Sequence, residues 1–138
     1  MATLEMRAEF APVIVQVPFT ASSVAVARKQ LKRWMADQGS SRSRIEDARV
    51  IVSELLGNSV RHSRPLSDGT LLIAWSVEPR GFRLSVTDGG GTSRPHMLNA
   101  SPSATAGRGM AIVDSLAISW WAEQTSSRTT VHAVLSID

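Results

Sequence analysis

The chain has 138 residues, of which 43% are apolar and none is cysteine, and its formal net charge is +3 at pH 7. These values suit one compact domain over residues 1–138, and they exclude a disulfide framework and a thiolate metal site. Because no apolar run approaches the ~20 residues that cross a bilayer and the basic residues are scattered, we expect a cytoplasmic protein that binds neither membrane nor nucleic acid.

The first predicted elements are a strand and a helix. Residues 13–17 form a short apolar strand that Pro18 ends. Thr20 or Ser22 can cap the helix that follows, and Gly39 closes it. Helical periodicity predicts a buried face made of Val24, Ala27, Leu31, Trp34 and Met35. Four cationic residues lie mostly off this face, and we interpret them as a solvated surface: Arg28, Lys29, Lys32 and Arg33.

A long helix is predicted over residues 45–62. Ser43, followed three residues later by Glu46, forms a capping box that marks where the helix begins. The predicted buried face contains Ile45, Ala48, Ile51, Val52, Leu55, Leu56 and Ser59. A face this broad must pack on an apolar surface, so the helix is expected to lie against the core.

A polar column runs along the rim of that face. Glu54, Asn58 and His62 are spaced i, i+4 and i+8, so neighbouring side chains lie roughly 6 Å apart along the helix axis. A carboxylate and an amide are thereby directed at one spot, while His62 is expected to pack at the helix end. Many amphipathic helices carry such a triplet, so the column indicates function only together with two later stretches, 86–91 and 106–110.

Two strands follow the long helix. Alternating polarity predicts one strand over residues 71–78 and a returning strand over residues 82–86, joined by a tight turn. Continued alternation puts Asp88 on the inward face, where its carboxylate needs a hydrogen-bond partner that a ligand with donors would supply. The three glycines 89–91 end the strand and let the backbone approach whatever Asp88 meets.

The remaining stretch predicts a lid, a third helix and two strands. Residues 92–106 contain two prolines and no period, so we predict a lid there. The Gly-Arg-Gly at 107–109 opens a helix whose free N–H groups can wrap an anion. Neither of the two lysines follows a glycine-rich loop, so the P-loop pattern is absent. With strands over 118–123 and 129–137, the order predicts an α+β two-layer sandwich: a mostly antiparallel (mixed) sheet with three helices on one face.

Three stretches in this order resemble the Bergerat ATP-binding fold of the GHKL superfamily, which includes gyrase, MutL and histidine kinases. They are S-E-L-L-G-N-S-V-R-H at 53–62, V-T-D-G-G-G at 86–91 and A-G-R-G-M at 106–110. The first and third are similar to the anti-sigma factor serine kinases of bacterial partner-switching systems and to related actinobacterial proteins. The likeness runs from about residue 13 to residue 135.

The resemblance implies a role for each matching residue. Glu54 would act as general base on a protein serine hydroxyl, and Asn58 would coordinate the Mg²⁺ that bridges the ATP phosphates. Asp88 would accept a hydrogen bond from the adenine amino group, and Gly90 would make room for the base. The other implied nucleotide contacts are Gly107 and Gly109, which cup the phosphates, Arg108 and Met110 beside them, and Thr130 near the adenine.

Three points stay open in this comparison. The last position of the D-x-G-x-G pattern holds Thr92 instead of glycine. Arg108 can reach a terminal phosphate or can equally be a surface arginine. The strand alternation does not establish which way Thr130 faces.

The first functional hypothesis is an ATP- and Mg²⁺-dependent protein serine/threonine kinase that acts as an anti-sigma factor. It would hold a sigma factor or phosphorylate a STAS-type antagonist, and relatives suggest a homodimer. The second hypothesis is a nucleotide-binding switch without turnover, but Glu54 favours the first. A histidine kinase catalytic domain is disfavoured because no dimerisation helices precede the motifs, and a basic interaction module without a ligand would make all three motifs coincidental.

Overall fold

The computed structural model describes residues 12–79, 81–91 and 105–136, with the backbone alone at 105–109. The described strands form one sheet in the order β1-β2-β3-β5-β4, and each neighbouring pair is antiparallel. The strands are β1 (Val13–Pro18), β2 (Thr70–Glu78), β3 (Gly81–Asp88), β4 (Ser119–Gln124) and β5 (Thr129–Leu135). The helices are α1 (Ser23–Asp37), α2 (Arg42–His62) and α3 (Thr105–Leu116).

Helix α2 is the centre of the helical layer. It packs between α1 and α3 and also contacts β3 and β5. Every residue of its predicted inward face is buried: Ile45, Ala48, Ile51, Val52, Leu55, Leu56 and Ser59. The predicted α+β sandwich is therefore confirmed, with the described helices on one face of an antiparallel sheet.

Alternation along the strands sets which side chains meet the helices. The inward row of the sheet is buried and includes Leu71, Ile73, Trp75, Leu84, Val86 and Val131. Within this row the register places Ile73 opposite Val86, and Val86 opposite Val131. Two residues further along β3, Asp88 lies opposite Thr129, so the predicted inward position of Asp88 is confirmed.

The predicted capping box at the start of α2 is wrong. The helix begins at Arg42, and its N-cap is Ser41, whose extended backbone (φ −67°, ψ 155°) lets the side chain accept from the Arg44 N–H at 3.2 Å. Ser43 consequently lies within the first turn, where it cannot cap. Glu46, its expected capping partner, forms an ion pair with another residue of α2.

The end of α1 explains why Ser41, and not Ser43, is the N-cap of α2. Gly39 adopts a left-handed φ of 81°, as predicted for the residue that closes this helix. The next N–H, that of Ser40, bonds the Met35 carbonyl at 3.0 Å. This tight exit makes Ser41 the first residue free to begin a new helix, an effect that local sequence preference does not contain.

The other two helices begin close to their predicted positions. Ser22 is the N-cap of α1, but its side chain bonds the Thr20 hydroxyl at 2.8 Å instead of a helix N–H. Helix α3 begins at Thr105, two residues before the predicted glycine, and the rest of the predicted lid lies outside the described residues. No described helix is long and apolar enough to cross a membrane.

Candidate functional site

The end of β3 is joined to the segment that follows α2. The Gly89 N–H donates to the Arg64 carbonyl at 2.7 Å, and the Arg64 N–H donates to the Gly90 carbonyl at 2.9 Å. A Cβ at Gly89 would lie 2.0 Å from the Pro65 carbonyl oxygen, so only glycine permits this approach. The pairing holds Asp88 beneath the C-terminal half of α2.

Asp88 has a partner on each carboxylate oxygen. Only 3% of the residue is exposed, and the Ser59 hydroxyl donates to Oδ2 at 2.6 Å. The Gly90 N–H donates to Oδ1 at 2.7 Å, with Gly90 at a left-handed φ of 82°. Because each oxygen of an ionised carboxylate accepts more than one hydrogen bond, Asp88 can still receive a donor from a ligand.

Ser59 is a site residue that the sequence analysis placed only in the buried face of α2. It is 4% exposed, and its hydroxyl orients Asp88 across the interface between helix and sheet. A signal for this role was present, since Ser59 is the one hydroxyl in an otherwise aliphatic face and a buried hydroxyl requires a partner. The identity of that partner follows only from the tertiary structure.

Two consecutive threonines of β5 lie on opposite faces of the sheet. Thr129 is opposite Asp88 and buried, and its Oγ1 lies 3.6 Å from where a Cβ on Gly90 would stand. Thr130 is opposite Thr87 on the other face, and the two hydroxyls are 2.8 Å apart. The structure therefore does not bring Thr130 together with Asp88, and Thr129 is the threonine beside the carboxylate.

The polar column of α2 lies on the same helix as Ser59, whose hydroxyl bonds Asp88. Glu54 and Asn58 are half-buried, one turn apart on the same helix as Ser59. Neither side chain forms a hydrogen bond or ion pair with another described residue. His62 is exposed, so the expectation that it packs at the helix end is wrong.

Arg61 adds a positive charge beside the column. Gly57 stands inside α2, where alanine would be favoured by about 1 kcal/mol, and its φ is not left-handed. A Cβ there would lie 2.9 Å from Arg61 Nη1, so the guanidinium folds back over this turn, within about one turn of Glu54.

The start of α3 supplies backbone groups. Gly107 is the third residue of the helix and Gly109 the fifth, so the N–H of Gly107 belongs to the first four, which lack a partner within the helix. The side chain of Arg108 lies outside the described part of the chain. Met110 is 2% exposed and belongs to the hydrophobic core, so its side chain packs inside the protein and is not the nucleotide contact that the resemblance implied.

The described residues contain no group of three or more His, Cys, Asp or Glu side chains that could hold a metal ion. Mg²⁺ that binds together with a nucleotide commonly takes one or two protein oxygens and completes its shell with phosphates and water. The Asn58 amide oxygen is a suitable protein ligand.

A separate polar cluster occupies the other face of the sheet. His132 has Nδ1 2.7 Å from the Ser85 hydroxyl and Nε2 2.9 Å from Glu123, and its ring stacks on Trp121 at 4.9 Å. The guanidinium of Arg83 lies 4.9 Å from the centre of the same Trp121 ring. Burial lowers the pKa of His132, and the charge of Glu123 opposes that shift. Ser85 is 8% exposed, which closes its hydroxyl to a substrate.

Solved structures with this fold come from two bacteria, Mycobacterium tuberculosis and Pseudomonas aeruginosa. The chain is similar to the RsbU and RsbW domains of Rv1364c from Mycobacterium tuberculosis, with a TM-score of 0.71 and 22% identity over 92% of this chain and 32% of that one. It thus spans about a third of that solved chain. It is also similar to the SiaB–SiaC complex from Pseudomonas aeruginosa, with a TM-score of 0.67 and 10% identity over 98% and 95% of the two chains.

The histidine kinase AdeS of Acinetobacter baumannii shares the fold less closely, with a TM-score of 0.51 and 14% identity over 99% of this chain and 73% of that one. At these identities the likenesses establish the fold alone. The family model of the histidine kinase-like ATPase domain, however, matches residues 17–135, which is most of the chain. The chain belongs to the histidine kinase-like ATPase domain family.

Proposed function

We propose that the chain is an ATP-binding regulatory kinase that transfers a phosphoryl group from Mg-ATP to a serine or threonine of a STAS-type antagonist, and that it also holds a sigma factor. The observation that carries the proposal is the buried Asp88 carboxylate, which Ser59 and Gly90 orient while its oxygens keep capacity for a ligand donor. The family is one of ATPase domains, and the similar folds in the RsbU and RsbW domains of Rv1364c and in the SiaB–SiaC complex support a protein partner.

Asp88 recognises adenine in this account. Its carboxylate accepts a hydrogen bond from the exocyclic amino group of the base, and Ser59 keeps the acceptor oxygens in a fixed orientation. Thr129 replaces Thr130 as the threonine beside the base, because Thr129 lies opposite Asp88 on the inward face. Gly90 takes the left-handed backbone that directs its N–H at the carboxylate.

In the proposed complex, the phosphates of ATP lie at the start of α3 and beside Glu54 and Asn58 of α2. The N–H groups at the start of α3 and the helix dipole favour an anion there, with Gly107 and Gly109 allowing close approach and Arg108 between them in the sequence. Asn58 would hold Mg²⁺, which supplies charge neutralisation of the phosphates when bound. Arg61 contributes further positive charge within about one turn of Glu54.

Glu54 acts as the general base. The acceptor hydroxyl of the partner forms a bond to the terminal phosphorus, the bond from that phosphorus to the bridging oxygen of ADP breaks, and the hydroxyl proton passes to the Glu54 carboxylate. The role suits a half-buried carboxylate that no other described residue engages, since its oxygens are available to the incoming hydroxyl.

Two variants of the full chain test the proposal. Calorimetric titration with ATP and Mg²⁺ should show Mg²⁺-dependent binding of ATP to the wild type, and Asn58→Ala should lose this binding.

Phosphoryl transfer is measured with radiolabelled ATP and purified STAS-domain proteins from the same organism. Glu54→Gln should keep its ATP affinity while its rate of phosphoryl transfer falls by about a hundredfold. A collapse of ATP affinity in Glu54→Gln would contradict its role as base. ATP binding by the wild type without transfer to any of these proteins would favour the alternative, a non-catalytic nucleotide-binding switch.

A further inference from the structure

A basic surface lies between α1 and α2, and we name it the basic cleft. One depression of about 270 Å³ is lined by Ala25, Arg28, Lys29, Lys32 and Arg49. A second depression of about 490 Å³ shares Lys32 and is otherwise lined by Ser40, Arg42, Ile45 and Glu46. The two adjoin through Lys32, so the cleft is one continuous feature of the helical layer.

The basic cleft holds the excess positive charge of the protein. Five cationic side chains and one carboxylate line it, a surplus that exceeds the net charge of +3 of the whole chain. The only two lysines of the sequence, Lys29 and Lys32, are among them. The single carboxylate, that of Glu46, is already paired with Arg49 Nη1 at 2.8 Å. Scattered basic residues in the sequence thus become one charged surface in the fold.

Two arginines at this cleft have donors that no described residue uses. The Nε atoms of Arg28 and Arg49 are buried and without a hydrogen-bond partner among the described residues. Burial of a charged donor without an acceptor is unfavourable, and a guanidinium is best satisfied by a carboxylate that it binds through two N–H groups. These two Nε atoms are closed to solvent, so the attraction of the basic cleft for an acidic segment comes from the excess of five cationic side chains over one carboxylate.

We infer that the basic cleft docks an acidic segment of the protein partner. This is the same partner whose acceptor hydroxyl Glu54 deprotonates in the proposed function. The inference rests on the proposed function, because the same helix carries both features: Glu46, Val50 and Glu54 are spaced i, i+4 and i+8 and span about 12 Å. Val50, between the cleft and Glu54, is 37% exposed. An exposed apolar side chain on this path suits a protein surface better than a phosphate backbone.

Charge reversal with a matched control tests the inference. The probe is a fluorescein-labelled peptide of alternating Glu and Ala, titrated with the full chain at low salt and followed by anisotropy. Lys29→Glu/Lys32→Glu should weaken peptide binding by about tenfold or more, and raising the salt should weaken the wild type similarly. The control Arg33→Glu/Arg128→Glu makes the same change in net charge at exposed residues outside the cleft lining and should change binding by less than about twofold.

Two outcomes would overturn the inference. One is an equal loss of binding in the cleft and control variants, which would mean that only net charge attracts the peptide. The other is a short DNA duplex that binds the cleft at least as tightly as the peptide does. Should the double reversal not fold, Lys29→Gln/Lys32→Gln gives the same comparison with a smaller expected loss. Titration of the wild type with Mg-ATP tests the proposed function separately, so failure of one does not imply failure of the other.

Discussion

The two faces of the sheet carry polar residues of similar chemistry in different surroundings. On the face covered by helices, Asp88 is held by one hydroxyl and one N–H and has no cationic partner among the described residues. On the opposite face, His132 is bonded at both ring nitrogens, to Ser85 and to Glu123. The open-face cluster satisfies itself, whereas the buried carboxylate keeps acceptor capacity. Because Asp88 keeps acceptor capacity, the covered face is the one on which we propose that the ligand binds.

Gly89→Ala should have the largest effect, because it breaks the connection that places Asp88 on the covered face. The added Cβ would lie 2.0 Å from the Pro65 carbonyl oxygen, so the backbone must move, at a cost of about 3 kcal/mol in the free energy of unfolding. Urea unfolding measures this loss. The matched control is Gly57→Ala, where the Cβ meets only the flexible Arg61 guanidinium and we expect a gain of about 0.5–1 kcal/mol. Equal destabilisation by both variants would contradict this account.

Ser59→Ala should have the next largest effect. It removes the hydroxyl that donates to Asp88 Oδ2 at 2.6 Å and leaves a buried carboxylate oxygen without that partner, so we expect a loss of about 1–3 kcal/mol in stability and weaker ATP binding. Thermal unfolding without Mg-ATP measures the loss of stability, and the additional stabilisation by Mg-ATP measures the loss of binding. Ser59→Thr, which keeps a hydroxyl, should recover part of the ATP affinity. Recovery by Ser59→Val instead would show that shape and not the hydroxyl matters.

Replacing Thr129 or Thr130 by valine compares the two faces of the sheet at neighbouring positions. Thr129→Val should weaken Mg-ATP binding by several-fold, because its hydroxyl lies on the face of Asp88, whereas Thr130→Val should leave the affinity unchanged. Thr130→Val loses its bond to Thr87 and should cost only about 1 kcal/mol in stability. Calorimetric titration of both variants decides the matter. A larger loss of Mg-ATP affinity in Thr130→Val than in Thr129→Val would contradict this assignment. It would mean that Thr130, as the family resemblance implied, is the threonine near the adenine.

The smallest expected effect is a pH dependence that arises on the open face. Burial lowers the pKa of His132 below its ordinary 6.5, opposed by Glu123 and assisted by Arg83, with Glu78 also facing it. The unfolded chain therefore takes up the proton more readily, so the stability contributed by neutral His132 is present above about pH 6.5 and is lost as the pH falls through the lower folded value. Urea unfolding at several pH values should show this decline in the wild type. His132→Gln should reduce it, and an unchanged decline would contradict the assignment.

Much of the fold and part of the site can be predicted from local pattern. The seven inward residues of α2 follow from helical periodicity, and the inward position of Asp88 follows from strand alternation, because each depends only on spacing along one element. The spacing of Glu54 and Asn58 is set by the same helix. The family resemblance supplied their proposed chemistry.

Other features depend on contacts between distant residues, which local pattern does not contain. The family resemblance implied Thr130, but it does not distinguish two consecutive threonines, and a shift of one residue in strand register exchanges the two faces. The bond from Ser59 to Asp88 joins residues 29 positions apart. Ser41 is the N-cap because α1 ends in a tight turn just before it.

In the proposed function, the covered face of the sheet binds adenine nucleotide through Asp88. The most direct test is calorimetric titration of Asp88→Asn with Mg-ATP beside Thr130→Val, its counterpart on the open face. We predict that Asp88→Asn lowers the affinity by at least about tenfold, since a charged acceptor is lost, while Thr130→Val binds like the wild type. Wild-type affinity in Asp88→Asn would contradict the claim and remove Asp88 from the nucleotide site.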